Sequence, residues 1–366
     1  MRQRVAVLGA GIIGLLTARM LLQRGVRVLL VDGGLPARAA SWAGGGIVSP
    51  LYPWRYSDAV TALAAGAQEA YAELTTVLRT ETGIDPEYNP CGLLVLAPVQ
   101  ADVALAWCRR HRRRAISYDR AGIDLLQPGL ADGLRDGLWM PEIGNVRNPR
   151  LLKALLAFVG RHPLAETCWR ADVQLTAGDG DASLRINGTR VSCDAVVIAA
   201  GAWSAALLRP FGIELPVIPV RGQMLLYAPQ PGLLQRIVLH DGRYLIPRRD
   251  GRIVAGSTLE FTGFDASTTG AARDMLHTAA VAMLPALVSA SVERQWAGLR
   301  PGSPSGIPFI DRVPGTRVFV NAGHFRNGLV LAPASAALGV AQVLEEAPGV
   351  DPAPYALTAP RGAGLV

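Results

Sequence analysis

The spacing of apolar positions changes several times along the chain, and each change marks an element. Residues 5–8 are apolar without a break, as in a strand covered on both faces, and lead into Gly9-Ala10-Gly11-Ile12-Ile13-Gly14. Residues 15–22 have helical composition, Gly25 closes that helix, and residues 26–31 read as a second buried strand ending on Asp32. Residues 61–78, rich in Ala and Leu, predict a single helix. Beyond Gly83, short apolar runs such as 91–97 alternate with turns marked by Pro and Gly, and residues 191–200 predict a buried strand leading into Gly201-Ala202-Trp203. From Leu215 onward the runs 222–227, 244–247 and 252–256 are short and turn-separated, the pattern of an antiparallel sheet. Residues 273–287 predict a helix ending near Pro285, and Arg300 precedes a proline expected to end its strand. A strand over 318–320 then runs through a glycine-flanked turn into a helix over 334–344, and the Pro-, Ala- and Gly-rich tail after Pro348 is expected to fray.

Composition narrows the class. The chain has 366 residues, 50% hydrophobic and 18% charged, enough for a large core and two interleaved domains. Net charge is +7, but the only dense basic group is Arg109, Arg110, His111, Arg112, Arg113 and Arg114, with no interleaved aromatic residues. That group reads as a solvated helix end, and no nucleic-acid partner is expected. The four cysteines, Cys91, Cys108, Cys168 and Cys193, form no C-x-x-C pair, and no His cluster has ligand spacing. No metal site is expected, and scattered thiols suit a reducing cytoplasm. Arg2 and Arg4 before residues 5–22 imitate a signal peptide or membrane span, but Arg19, the three glycines and the following strand argue for a soluble unit. No other stretch reads as a membrane span.

The glycine spacing carries chemistry. In a strand–turn–helix unit the first glycine, Gly9, permits a tight turn, and the second, Gly11, lets a pyrophosphate approach backbone. The third, Gly14, lets the helix pack on the strand. The helix start, with Ile12 and Ile13, offers free N–H groups and partial positive charge to phosphates. Asp32, 18 residues after Gly14, is placed to accept hydrogen bonds from ribose hydroxyls. The unit predicts a dinucleotide and leaves FAD and NAD open. The segment Ser41-Trp42-Ala43-Gly44-Gly45-Gly46 lies too far along to touch the pyrophosphate at the first turn. Its small residues allow backbone to lie against a flat ring, and Ser41 is able to reach a phosphate. Ala200, Gly201 and Trp203 are expected to press on the same dinucleotide, and the turn at residues 323–328 supplies a second helix N-terminus suited to the polar edge of a flavin. Arg300 has two readings, an ion-pair partner at the core edge or a fork for a carboxylate.

These motifs together resemble the D-amino-acid-oxidase family of FAD-dependent amine oxidoreductases, and in particular its bacterial glycine-oxidase branch of thiamine biosynthesis. The likeness covers nearly the whole chain and is most specific in Tyr244-Leu245-Ile246-Pro247-Arg248, Trp296-Ala297-Gly298-Leu299-Arg300-Pro301 and Ala322-Gly323-His324-Phe325-Arg326-Asn327-Gly328. It implies an α/β chain, α+β overall: a Rossmann-like FAD-binding domain (residues 1–85, 146–214 and 300–366) and a discontinuous substrate domain built on an antiparallel sheet (86–145 and 215–299). It implies noncovalent FAD, since no cysteine lies in 300–330. Arg300 would hold a substrate carboxylate, with Tyr244 hydrogen-bonding to it. His324, Phe325, Arg326, Asn327, Gly328, Leu329 and Val330 would lie at flavin and substrate, and the Val173 backbone at the adenine. Two departures are noted: Leu259 where methionine is common, expected to alter the pocket wall, and Asp311 where glycine is usual, expected to alter a turn after residues 308–310.

The implied reaction is oxidation of glycine or another small amino acid to the imine or 2-oxo acid, with O₂ reduced to H₂O₂. The alternatives are a D-amino-acid or sarcosine dehydrogenase using another electron acceptor, a flavin domain of an RNA-modifying system, or a flavin-binding protein without activity. The sequence is compatible with a homo-oligomer without specifying one.

Overall fold

The computed structural model describes residues 3–178 and 182–362; Arg2 and the last four residues of the tail lie outside them. The N-terminal apolar run is the strand Arg4–Leu8, in the interior of a six-stranded sheet. In spatial order that sheet is Phe309–Arg312, Val318–Ala322, Ala195–Ile198, Arg4–Leu8, Arg27–Asp32 and Ala165–Trp169, parallel throughout except for the first pair. Its unbroken hydrophobicity has a simple cause. Val5, Val7, Val28 and Leu30 pack under helices, while Ala6, Leu8, Leu29 and Val31 pack on a small sheet formed by Val173–Ala177, Ala182–Ile186 and Thr189–Val191. Neither face of these two central strands meets water, so they need no polar alternation.

The second large sheet has eight strands in the order Ser291–Gly302, Ile218–Ala228, Ile253–Gly256, Arg243–Pro247, Ile237–His240, Leu93–Leu96, Asp136–Met140 and Ile116–Asp119. All pairs are antiparallel except Ile237–His240 with Leu93–Leu96. Leu225, Tyr227 and Leu245 on one face pack against Leu276, Ala280 and Met283 of the helix Gly270–Met283.

Several elements depart from the sequence reading. The helix expected over 61–78 is two helices, Asp58–Ala64 and Ala67–Thr82, because Gly66 stands between them at φ 72°. The strand expected over 191–200 splits, Thr189–Val191 joining the three-stranded sheet and Ala195–Ile198 the six-stranded one. Pro301 does not end its strand: Ser291–Gly302 is an edge strand with Pro301 opposite Pro219, a place where a missing N–H costs little. Asp311 alters no turn, since the strand Phe309–Arg312 runs through it and its carboxylate accepts from the Leu357 N–H at 2.8 Å. That bond helps to hold a tail expected to fray. Tyr355 is buried with its hydroxyl donating to the Ala59 carbonyl at 2.8 Å, and the Arg361 guanidinium lies 3.7 Å from the Phe309 ring centre.

The last helix also starts earlier than expected, at Gly328, and runs to Leu344 with Pro333 inside it. Pro333 has no N–H for the carbonyl of Leu329, four residues back. The hydroxyl of Tyr71, a fully buried side chain, donates to that carbonyl instead, at 2.7 Å. Burial pushes the Tyr71 phenol well above its ordinary pKa, so it stays a donor. Tyr71→Phe leaves the carbonyl unpartnered and is expected to lower stability by about 1–3 kcal/mol in denaturant titration. The segment Phe325–Leu344 is long and apolar enough to cross a membrane, mean hydropathy 1.5, against the expectation that no further stretch qualifies; 61% of its 18-residue apolar window is buried inside the protein.

Candidate cofactor and substrate site

A cavity of about 830 Å³ opens where the C-terminal ends of the parallel strands meet the eight-stranded sheet. Open α/β sheets bind ligands at that end, because the helix N-termini and the loops between them gather there. Every residue expected at the cofactor or the substrate lines this cavity except Gly14, and Leu259, expected on the pocket wall, does not. Gly14 is a packing residue. A Cβ there would stand 1.8 Å from the Gly9 carbonyl oxygen, so the missing side chain is what lets the helix Ile12–Gln23 seat against the turn. Gly9 itself has φ 108°, and a Cβ on it would meet the Ala199 oxygen at 2.4 Å.

Asp32 organises the turn. Its carboxylate accepts from the Ala10 N–H and from the Gly34 N–H, each at 2.8 Å, and it still faces the cavity. Beyond it, Ala171 and Val173 form the neighbouring wall. The segment from Ser41, expected to lie too far along to touch a pyrophosphate at the first turn, returns to the start of the glycine-turn helix. Ser41 Oγ accepts from the Ile12 N–H at 2.9 Å, over the start of the glycine-turn helix. The oxygen satisfies one free donor of the helix and keeps the hydroxyl proton for a ligand.

The backbone that follows is held rather than loose. Residues Ala40–Ala43 form a short helix, Trp296 Nε1 donates to the Ala43 carbonyl at 3.0 Å, and Arg248 donates to the Gly45 carbonyl at 2.7 Å. Asn148 Nδ2 donates to the Ser41 carbonyl at 2.8 Å. A Cβ on Gly45 would reach Tyr244 Cε2 at 3.1 Å, so the bare backbone there lets the tyrosine ring lie against it.

Arg300 is half-buried on the edge strand opposite Val220. Its Nη1 donates to the Thr258 carbonyl at 3.1 Å and the Arg221 carbonyl at 3.4 Å, and its Nη2 donates to Ser257 Oγ at 2.8 Å. The guanidinium crosses Gly222, where a Cβ would be only 2.1 Å away. It makes no ion pair among the described residues, so the fork is open to a carboxylate. Burial pulls its pKa below the ordinary arginine value; Tyr244 opposes that shift, nearby Arg326 adds to it by less, and Glu260 opposes it more weakly still. The Tyr244 ring is buried beside it, with its hydroxyl 3.4 Å from Met224 Sδ. Arg38, Arg300 and Arg326 all face the cavity and make no ion pair among the described residues, whereas Asp32 is the one carboxylate on the wall. The cavity therefore carries uncompensated positive charge and favours an anionic occupant.

Four buried polar atoms on the wall lack a partner within the protein: Asn148 Oδ1, Asn321 Oδ1, His324 Nε2 and Asn327 Nδ2. Burial lowers the His324 pKa to about 3, so the ring is neutral at ordinary pH. Because the unfolded chain binds a proton there below about pH 6.5 and the folded chain does not, this group makes stability fall as pH drops from 6.5 towards 3. The slope is about 1.4 kcal/mol per pH unit. His324→Gln is expected to flatten that limb in denaturant titrations across the range.

Trp203 and Phe264 stand over the mouth with ring centres 5.5 Å apart. Leu259, expected on the pocket wall, is 39% exposed and does not line the cavity. Sequence reading missed Asn148, Ser257 and Arg38. None sits in a motif, and only their contacts across the fold bring them to the site.

The chain matches the family model described as "FAD dependent oxidoreductase" (DAO) over residues 4–342. It is 48% identical to the glycine oxidase of Pseudomonas aeruginosa over 359 residues, 97% of this chain and 99% of that protein. It is 33% identical to the bifunctional protein ThiO/ThiG of Synechocystis, over 91% of this chain and 50% of that protein. The crystal structure of glycine oxidase from Geobacillus kaustophilus superposes with a TM-score of 0.93 at 29% identity, covering 98% of this chain and 100% of that one.

Proposed function

Because the chain belongs to the DAO family of FAD-dependent oxidoreductases, we propose that it is an amino-acid oxidase that converts glycine, or another small amino acid, to its imine. The observation that carries this reading is Arg300, an unpaired guanidinium facing the cavity beside Tyr244. Its likeness to glycine oxidases at 48% identity and to a ThiO/ThiG protein supports glycine as substrate and a place beside thiazole synthesis in thiamine biosynthesis.

The residues present fit FAD. A diphosphate suits the uncompensated arginines and the helix start at Ile12, and an isoalloxazine edge suits the unpartnered Asn148, Asn321, His324 and Asn327. Gly9, Gly11 and Ser41 would hold the pyrophosphate, Asp32 the ribose and Val173 the adenine. The smooth backbone at Gly44, Gly45 and Gly46 would lie on the ring. We read the attachment as noncovalent, since none of the four cysteines lines the cavity. When bound, FAD supplies the two-electron acceptor for the substrate's Cα–H bond.

The chain's own residues supply orientation. Arg300 grips the substrate carboxylate while Ser257 and two carbonyls hold the guanidinium still. Tyr244 donates a second hydrogen bond to that carboxylate, and Arg326 adds charge that favours it. Trp203 and Phe264 restrict water at the mouth. No side chain needs to take a proton from carbon, so catalysis is positioning and electrostatics. Residues 1–85, 146–214 and 300–366 act as the FAD domain in this reading, and 86–145 and 215–299 as the substrate domain. O₂ is the terminal acceptor, the four free cysteines fit a cytoplasmic setting, and the oligomeric state is open to a homo-oligomer.

Anaerobic glycine, N-methylglycine and D-amino acids, added singly, test the reading through the flavin absorbance. Bleaching fastest with glycine, and H₂O₂ release once air is admitted, is the expected result. A yellow protein that no amino acid bleaches would remove the proposal.

A further inference from the structure

Beside the main cavity lies a second one of about 90 Å³, and we propose that it binds a small zwitterionic amino acid. The inference rests on the reading of such an amino acid as substrate and adds a separate site for it. The pocket forms where the helix Ala101–Arg110 ends against the helices Asp58–Ala64 and Ala67–Thr82, so it absorbs the basic run that the sequence left without a role.

Its wall is built for both charges. Gln68 Nε2 donates to the Val48 carbonyl at 2.8 Å, which fixes the amide orientation and leaves Oε1 buried with no partner. His111 Nε2 is likewise buried and unpartnered, its ring centre 4.6 Å from that of Trp107. The Arg113 guanidinium stands 3.9 Å from Glu69 and 4.0 Å from Glu142, too far for hydrogen bonds, so its donors are unspent. Arg114 and Glu142 complete the polar wall.

A carboxylate on Arg113, with His111 and Arg114 near, and an ammonium on Glu142 and Gln68 Oε1 would satisfy the groups that the protein leaves open. A simple anion would face Glu142 and leave Gln68 unpartnered, and a simple amine would leave the guanidinium unused. The volume admits glycine or its nearest homologues and no bulky side chain. Ser49 and Val330 line both cavities, so the two are neighbours. The pocket thus holds an amino acid next to the cavity in which it would react.

The test uses the flavin-loaded Arg300→Ala protein, in which the catalytic grip is removed, and isothermal titration with glycine. One equivalent is expected to bind. Adding Arg113→Gln is expected to weaken that binding at least tenfold, and adding Arg112→Gln, an exposed neighbour, to leave it unchanged. Glu142→Gln is expected to weaken glycine binding at least tenfold while leaving acetate binding unchanged or stronger. Absence of glycine binding in the Arg300→Ala protein, or binding indifferent to both Arg113→Gln and Glu142→Gln, would overturn the second site. Failure of the proposed reaction reads out separately, as flavin in the unaltered enzyme that glycine does not bleach.

Discussion

Arg300→Ala is expected to lower kcat/KM for glycine by about 30- to 1,000-fold, mostly through KM, the equivalent of ~2–4 kcal/mol for a fork gripping a carboxylate. Three hydrogen bonds already hold the guanidinium, so little ordering entropy is spent on substrate binding. Lysine should not rescue the loss, because a single ammonium cannot offer two parallel donors. Gly222→Ala provides an independent check: a methyl 2.1 Å from the guanidinium would displace it without changing any charge. That variant is expected to share the KM defect and keep its flavin. Unchanged glycine kinetics in Arg300→Ala would take the residue out of the role.

Gly14→Ala is expected to have the second large effect, on cofactor retention. Its Cβ would fall 1.8 Å from the Gly9 oxygen, a clash of a fixed methyl with backbone that no rotamer relieves. Overpacking of this kind costs about 1–3 kcal/mol or more. It acts on the turn whose amides face the cavity, so the flavin-to-protein absorbance ratio after purification should fall together with the melting temperature. Gly160→Ala is the matched control. That glycine lies in the helix Asn148–Arg161, a Cβ there meets nothing within 4 Å, and the change is expected to be neutral or slightly stabilising. Full flavin content in Gly14→Ala would show that the turn tolerates the methyl.

Local chemistry was the legible part of the sequence. The strand–turn–helix unit around Gly9 could be read because three glycines, a buried strand and Asp32 all fall within one stretch of chain. The residues around Tyr244 and Arg300 were legible through family likeness, not through periodicity. What escaped depends on contacts between distant segments. Ser41 lies 29 residues from Ile12, and no local rule says that its hydroxyl covers that amide. Pro301 looked like a strand terminator because its edge position is a property of the sheet. The helix expected over 334–344 starts earlier, at Gly328, with Pro333 inside it, and the Tyr71 hydroxyl that serves the carbonyl Pro333 leaves open comes from 258 residues away. Gly66 was visible as a glycine, but a continuous Ala-rich pattern concealed its left-handed conformation.

The strand order of the six-stranded sheet also sets a timetable for biosynthesis. Its strands come from residues 4–8, 27–32, 165–169, 195–198, 309–312 and 318–322. The helix Gly328–Leu344 then packs across Ile12–Gln23, near the other end of the chain. The first glycine turn is therefore synthesised hundreds of residues before the far wall of its own cavity. During translation that turn can offer phosphate contacts but no enclosure, and contacts so distant in sequence close slowly. Capture of the cofactor belongs to the end of synthesis, when the last helix leaves the ribosome, and a chain truncated before Gly328 should emerge colourless however well its first fifty residues fold.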